Sequence, residues 1–319
     1  MSLGLFAKGV QRPLRTVWKV KSGYRSVSYW WPKEESDCSE KPQNGTKPSK
    51  VLLMIPVAKG NPGLPEYYIE FMSHIHENLG SELDIVLTTN KLVTTGKNFG
   101  LQHQVQHKLE CLDALVEKYP ANTEFFLVGH SVGAWICEQV VKKRPNVKNY
   151  PNLLLVSCTP KASRNRKMFL FPPLSRNIIG KLVWGINLLP MNFMVRTISV
   201  LAKQSLKNAL ITSLILQLPC EARLLFLLNP SNTPSVSESV LIMAHDEMEQ
   251  IYEVDKDFYF TIYYGVGDKW VPVESYHEMK ETVASENIFL CSEDIPHAFV
   301  LGHSSVMAKK MVGWLSKYI

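Results

Sequence analysis

Between Glu124 and Lys142 the chain changes its hydrophobic period within a few residues. Glu124-Phe-Phe-Leu-Val128 reads as a buried strand and Ala134-Trp-Ile-Cys-Glu-Gln-Val-Val-Lys142 as a helix, with Gly129-His-Ser131-Val-Gly133 at the break. Where a strand turns directly into a helix, one residue occupies a strained turn, and its neighbours must lack a Cβ that would strike strand or helix. Gly129 and Gly133 meet that demand and present the hydroxyl of Ser131, the arrangement of a nucleophile elbow. Ser131 is the candidate nucleophile. The same motif also fits a structural turn with an inert serine, so the rest of the chain has to supply an acid and a histidine, in that order, at later strand ends.

The segments around the elbow read as alternating strands and helices. Thr16–Val20 and Tyr24–Trp31, parted by Lys21-Ser-Gly23, suit a hairpin, although the basic, acid-free first 31 residues also resemble a transit peptide. Val51-Leu-Leu-Met-Ile-Pro56 reads as a buried parallel strand, Pro65 opens a helix through Phe71 and Ile75, and Asp84–Thr89 forms a strand. A helix around His103–Tyr119 precedes the elbow. Strands at Asn152–Ser157, Phe258–Tyr264 and Asn287–Cys291 and a helix at Ser304–Tyr318 follow. This pattern predicts a mainly parallel α/β sheet with helices on both faces. The expected divisions are a basic N-terminal segment (1–50), a first core part with the elbow (51–160), an inserted helical cap (161–255) and a second core part (256–319).

The second core part supplies the missing partners. Tyr264-Gly-Val-Gly-Asp268 places an acid after one late strand, and Asp294-Ile-Pro-His297 places a histidine after the last. Asp268 and His297 are the favoured acid and base, with Asp294 and His303 as rivals, while His130 points away from Ser131 because adjacent strand residues face opposite ways. In this reading Nε2 of His297 takes the Ser131 proton as the hydroxyl attacks an acyl carbonyl, and Asp268 holds the Nδ1 proton. Two backbone N–H donors for the oxyanion map to Val132 and to the loop after Pro56, through Gly60 and Asn61, a stretch that also fits an ordinary surface turn.

Charge is uneven. Residues 1–50 hold ten Lys/Arg and four Asp/Glu, which accounts for the whole net charge of +6. Residues 161–230 hold ten Lys/Arg against the single acid Glu221, interleaved with apolar runs that contain Trp184, Leu188, Leu189, Phe193, Leu214 and Leu216. Lys181, Pro190 and Arg196 interrupt these runs, so they read as interfacial elements rather than spanning helices, and equally as cap helices lining an acyl pocket. Aliphatic residues between the charges argue against nucleic acid. Six scattered cysteines without Cys-x-x-Cys spacing fit a reducing compartment, with no metal or other cofactor expected.

Gly60-Asn-Pro-Gly63, Gly129-His-Ser131-Val-Gly133, Tyr263-Tyr-Gly265 with Asp268, and Ile295-Pro-His297-Ala-Phe299 together resemble the signature blocks of the lipid droplet-associated hydrolase family. The resemblance runs from about Val51 to the end of the chain. It implies an α/β-hydrolase fold, a Ser131–Asp268–His297 triad, residence on lipid droplets and endoplasmic reticulum, and sterol esters or acylglycerols as substrates. The family pattern runs Ile-Pro directly into Gly-Asn-Pro-Gly, whereas this chain inserts Val57-Ala-Lys59 beside the expected oxyanion loop. Losing one such donor costs roughly 10² to 10³ in rate, so a catalytically weak droplet-binding protein is the second expectation. A soluble carboxylesterase or thioesterase with a simple lid is the third.

Overall fold

The computed structural model describes residues 13–23, 25–33, 49–56, 65–80, 82–89, 100–145, 153–156, 260–268, 271, 273–282 and 288–319. Gly60, Asn61, the Val57–Lys59 insertion, residues 1–12, and the expected cap with Trp184, Leu188, Leu189, Phe193, Leu214 and Leu216 lie outside them.

Eight strands form one sheet among the described residues: β1 (Leu14–Lys19), β2 (Arg25–Trp31), β3 (Lys50–Ile55), β4 (Asp84–Thr88), β5 (Glu124–His130), β6 (Leu153–Val156), β7 (Phe260–Gly265) and β8 (Ile288–Cys291). Their spatial order is β1-β2-β4-β3-β5-β6-β7-β8. The expected hairpin is present, and it adds the antiparallel pairs β1–β2 and β2–β4 to an otherwise parallel sheet.

The apolar runs of the central strands are continuous because both faces are covered. Along β3, Val51, Leu53 and Ile55 join one core and Leu52 and Met54 the other; along β5, Phe125 and Leu127 part in the same way from Phe126 and Val128. Helices α2 (Leu101–Lys118), α3 (Val132–Lys143) and α4 (Val273–Thr282) pack on the first face, and α1 (Ile69–Leu79) and α5 (Ser304–Leu315) on the second. The helix expected from Pro65 begins as a tight 3-10 turn over Pro65–Tyr68 and becomes α-helical at Ile69.

The chain runs from β3 outward to β4 and then returns to the other side of β3 as β5. That reversal makes a topological switch point, where open α/β sheets bind ligands beyond the carboxyl ends of their strands. Ile55 pairs with Gly129 there, and β6 and β7 continue the parallel series although residues 157–259 separate them in sequence. This is the α/β-hydrolase arrangement anticipated from the sequence.

Candidate active site

Ser131 lies directly beyond β5 with φ 57° and ψ −125°, the only positive φ at a non-glycine among the described residues. Holding a side chain there costs about 1–3 kcal/mol, which the surrounding packing must offset. The packing is visible at both glycines. A Cβ on Gly129 would come within 2.5 Å of the backbone of Ala134, and one on Gly133 would run into the carbonyl oxygens of Ile55 and Pro56. The elbow is thus pressed between its own helix and the end of β3.

Two loops bring partners to Ser131. The turn after β7 is closed by Asp268 N–H on the Gly265 carbonyl at 3.2 Å, and the Oδ1 of Asp268 accepts the Val271 N–H at 2.9 Å. Its other oxygen, Oδ2, accepts from Nδ1 of His297 at 2.7 Å, and Nε2 of His297 lies 3.0 Å from Ser131 Oγ. A carboxylate can only accept, so Nδ1 carries the proton, Nε2 is left bare, and the Ser131 hydroxyl donates to it. The Asp268 side chain is 2% exposed and that of His297 17%, so the pair is largely shielded while the imidazole keeps an opening. Of the rivals, Asp294 is exposed and lies against Gly267, and His303 stands at the amino end of α5.

His130 has a role that sequence reasoning missed. Its ring is fully buried, with Nδ1 2.5 Å from the Tyr68 hydroxyl and Nε2 2.9 Å from the backbone carbonyl of His297. Burial first, and then the neighbouring His297, push its pKa down to about 3. The ring packs against those of Phe299 and His297, with centroids 4.8 and 5.1 Å away. The alternation Phe126, Val128, His130 put this ring on the α1/α5 face; it could not say that the His297 loop passes there.

For the oxyanion, Val132 is the first residue of α3 and is buried beside the turn. The first N–H groups of a helix have no acceptor within it, and they stand at the positive end of its dipole. An arrangement of this kind can form a nucleophilic alkoxide, shuttle one proton through an imidazole, and favour negative charge next to the serine. Among the described residues no three of His, Cys, Asp and Glu are grouped as a metal site requires.

The model of lipid-droplet associated hydrolases matches residues 48–300, a span that includes Ser131, Asp268 and His297. The chain is 27% identical over 300 residues to a protein from Rattus norvegicus named "Lipid droplet-associated hydrolase", covering 86% of this chain and 87% of that one. A Dictyostelium discoideum protein of the same name is 27% identical over 289 residues, with 84% and 88% covered. Among solved structures, an esterase from Exiguobacterium antarcticum aligns with a TM-score of 0.54 at 14% identity over 95% of this chain and 100% of its own, a likeness of fold alone. A family match over most of the chain, together with the sheet order described above, leads to one assignment: the chain belongs to the lipid-droplet associated hydrolase family.

Proposed function

We propose that the protein is a serine ester hydrolase that acts on hydrophobic esters at the surface of lipid droplets. The observation that carries this reading is the hydrogen-bonded run Asp268–His297–Ser131, ending on a serine held in a strained turn. In the first half-reaction Ser131 Oγ attacks the ester carbonyl carbon as its proton passes to Nε2 of His297, and the oxyanion forms beside the Val132 N–H. Collapse returns that proton to the leaving alkoxide, which departs as an alcohol and leaves an acyl-serine. In the second, His297 takes a proton from water, the hydroxide attacks the acyl carbon, and the carboxylic acid leaves as Ser131 recovers its proton.

The names of the relatives support the droplet, and the resemblance of the signature blocks supports sterol esters or acylglycerols as the substrate class. The basic, apolar residues 161–230 of the cap are the proposed contact with the lipid surface, through Trp184, Leu188, Leu189, Phe193, Leu214 and Leu216. Residence on the endoplasmic reticulum belongs to the same proposal through surface contact; among the described residues no helix is long and apolar enough to cross a membrane. The test is labelling of the purified protein by a fluorophosphonate probe. Wild type should label, and Ser131→Ala and His297→Ala should both lose the label. Folded wild type that takes no label would transfer the assignment to a droplet-binding protein of low activity, the reading that the Val57–Lys59 insertion favours.

A further inference from the structure

His130 is not part of the proton path, yet both of its ring nitrogens are engaged. A fully buried imidazole must have both ring nitrogens satisfied, and here each partner dictates its role. The His297 carbonyl can only accept, so Nε2 of His130 carries the hydrogen and donates it at 2.9 Å. With the ring neutral, Nδ1 is bare and accepts the Tyr68 O–H at 2.5 Å. One tautomer fits, with no rotational freedom left over. The partners belong to different elements: Tyr68 ends the turn that enters α1, and His297 lies on the loop between β8 and α5. Phe299, two residues beyond His297, closes the arrangement by packing edge-on against Phe71 at 5.0 Å and Tyr68 at 6.5 Å.

Resting on the reading of Ser131, Asp268 and His297 as the reacting set, we propose that His130 and Tyr68 are positioning residues that hold the His297 loop in register with the nucleophile. Asp268 orients the His297 ring through Nδ1 but says nothing about where the backbone beneath the ring lies. His130 fixes that backbone, and it is covalently adjacent to Ser131, so base and nucleophile share one reference point. A phenylalanine or leucine at position 130 would fill the same apolar space but could not hold a carbonyl. Misplacement of reacting groups by about 1 Å can cost on the order of 10²-fold in rate without changing what binds.

The test follows the rate of fluorophosphonate labelling as a function of probe concentration, which separates the maximal rate, kinact, from the apparent affinity, KI. His130→Ala should lower kinact about tenfold or more while KI moves less than about twofold. His130→Gln keeps an amide N–H and a carbonyl oxygen and should restore kinact to within about threefold of wild type. Tyr68→Phe, the mildest change and the one that decides the matter if His130→Ala does not fold, should slow kinact by about threefold to tenfold. Because His130 is neutral through the working range, wild type and His130→Gln should share one pH profile. A wild-type kinact in Tyr68→Phe or His130→Ala would overturn the proposal, as would a folded His130→Gln as slow as His130→Ala or with a displaced acid limb. Failure of the parent reading looks different, since wild type itself would then not label at Ser131.

Discussion

Lys108 carries an ammonium group into the core. Its side chain is fully buried on α2, where Nζ donates to Thr88 Oγ1 at 3.0 Å and to the Thr89 carbonyl, and desolvation pushes its pKa down to about 8. Below pH 8 both folded and unfolded chains hold the proton, and the folded state bears the full cost of burying the charge. Between pH 8 and the ordinary 10.5 the unfolded chain holds more protons, so stability should climb with pH, by an amount on the order of 3 kcal/mol across that window. Urea denaturation of wild type and Lys108→Met at pH 7, 8, 9 and 10 checks this: wild type should gain stability relative to the variant as pH rises, and a constant difference would contradict it. The grouping of Ser131, His297 and Asp268 was legible at this scale because each follows a recognisable strand with its own local signal. Lys108 and the pairing of Tyr68 with His130 were not. Leu101, Val105, Leu112 and Leu115 mark the buried stripe of α2, and Lys108 falls within it, but only the sheet end above shows where its ammonium finds acceptors.

The elements divide by how much of their conformation is local. β3, β5 and α2 were readable from periodicity, and the hairpin from the turn residues between two alternating runs. Proline favours a helical first turn of either kind, so the pattern at Pro65 predicts a helix without separating out the tighter form found over Pro65–Tyr68. The β5–α3 elbow was legible as a motif, but its contact with the end of β3 is tertiary. Gly133→Ala should therefore cost about 2 kcal/mol or more in chemical denaturation, since the added Cβ meets backbone carbonyls that cannot step aside. Gly313→Ala is the matched control: it lies exposed in α5 with nothing within 4 Å of the added carbon, and should be neutral or stabilise by up to about 1 kcal/mol. Equal losses at the two positions would show that the elbow is not pressed against β3.

At the scale of the whole molecule, the alternation of strands and helices was enough to predict the sheet, because burial on both faces leaves uninterrupted apolar strands. The expected oxyanion loop and the expected cap lie outside the described residues, and for them the sequence supplies composition without placement. Composition still makes a prediction. Deleting residues 161–230, which carry ten cations and one acid among long apolar runs, should abolish flotation of a tagged, folded protein with lipid droplets, and retained flotation would place the lipid contact elsewhere.

The adjacency of β6 and β7 also orders events in time. Ser131 and its strain are encoded before residue 157, whereas Asp268 and His297 come only after residue 259. As the chain emerges from the ribosome, the first part can form its sheet and its elbow, but the open edge of β6 waits for a strand about a hundred residues away. Until β7 and β8 dock, Ser131 lacks its hydrogen-bonding partner His297 and the sheet has an edge able to pair with the wrong neighbour. Completion of the parallel sheet and assembly of the Ser131–His297–Asp268 hydrogen-bonded group are therefore one event in the life of the chain.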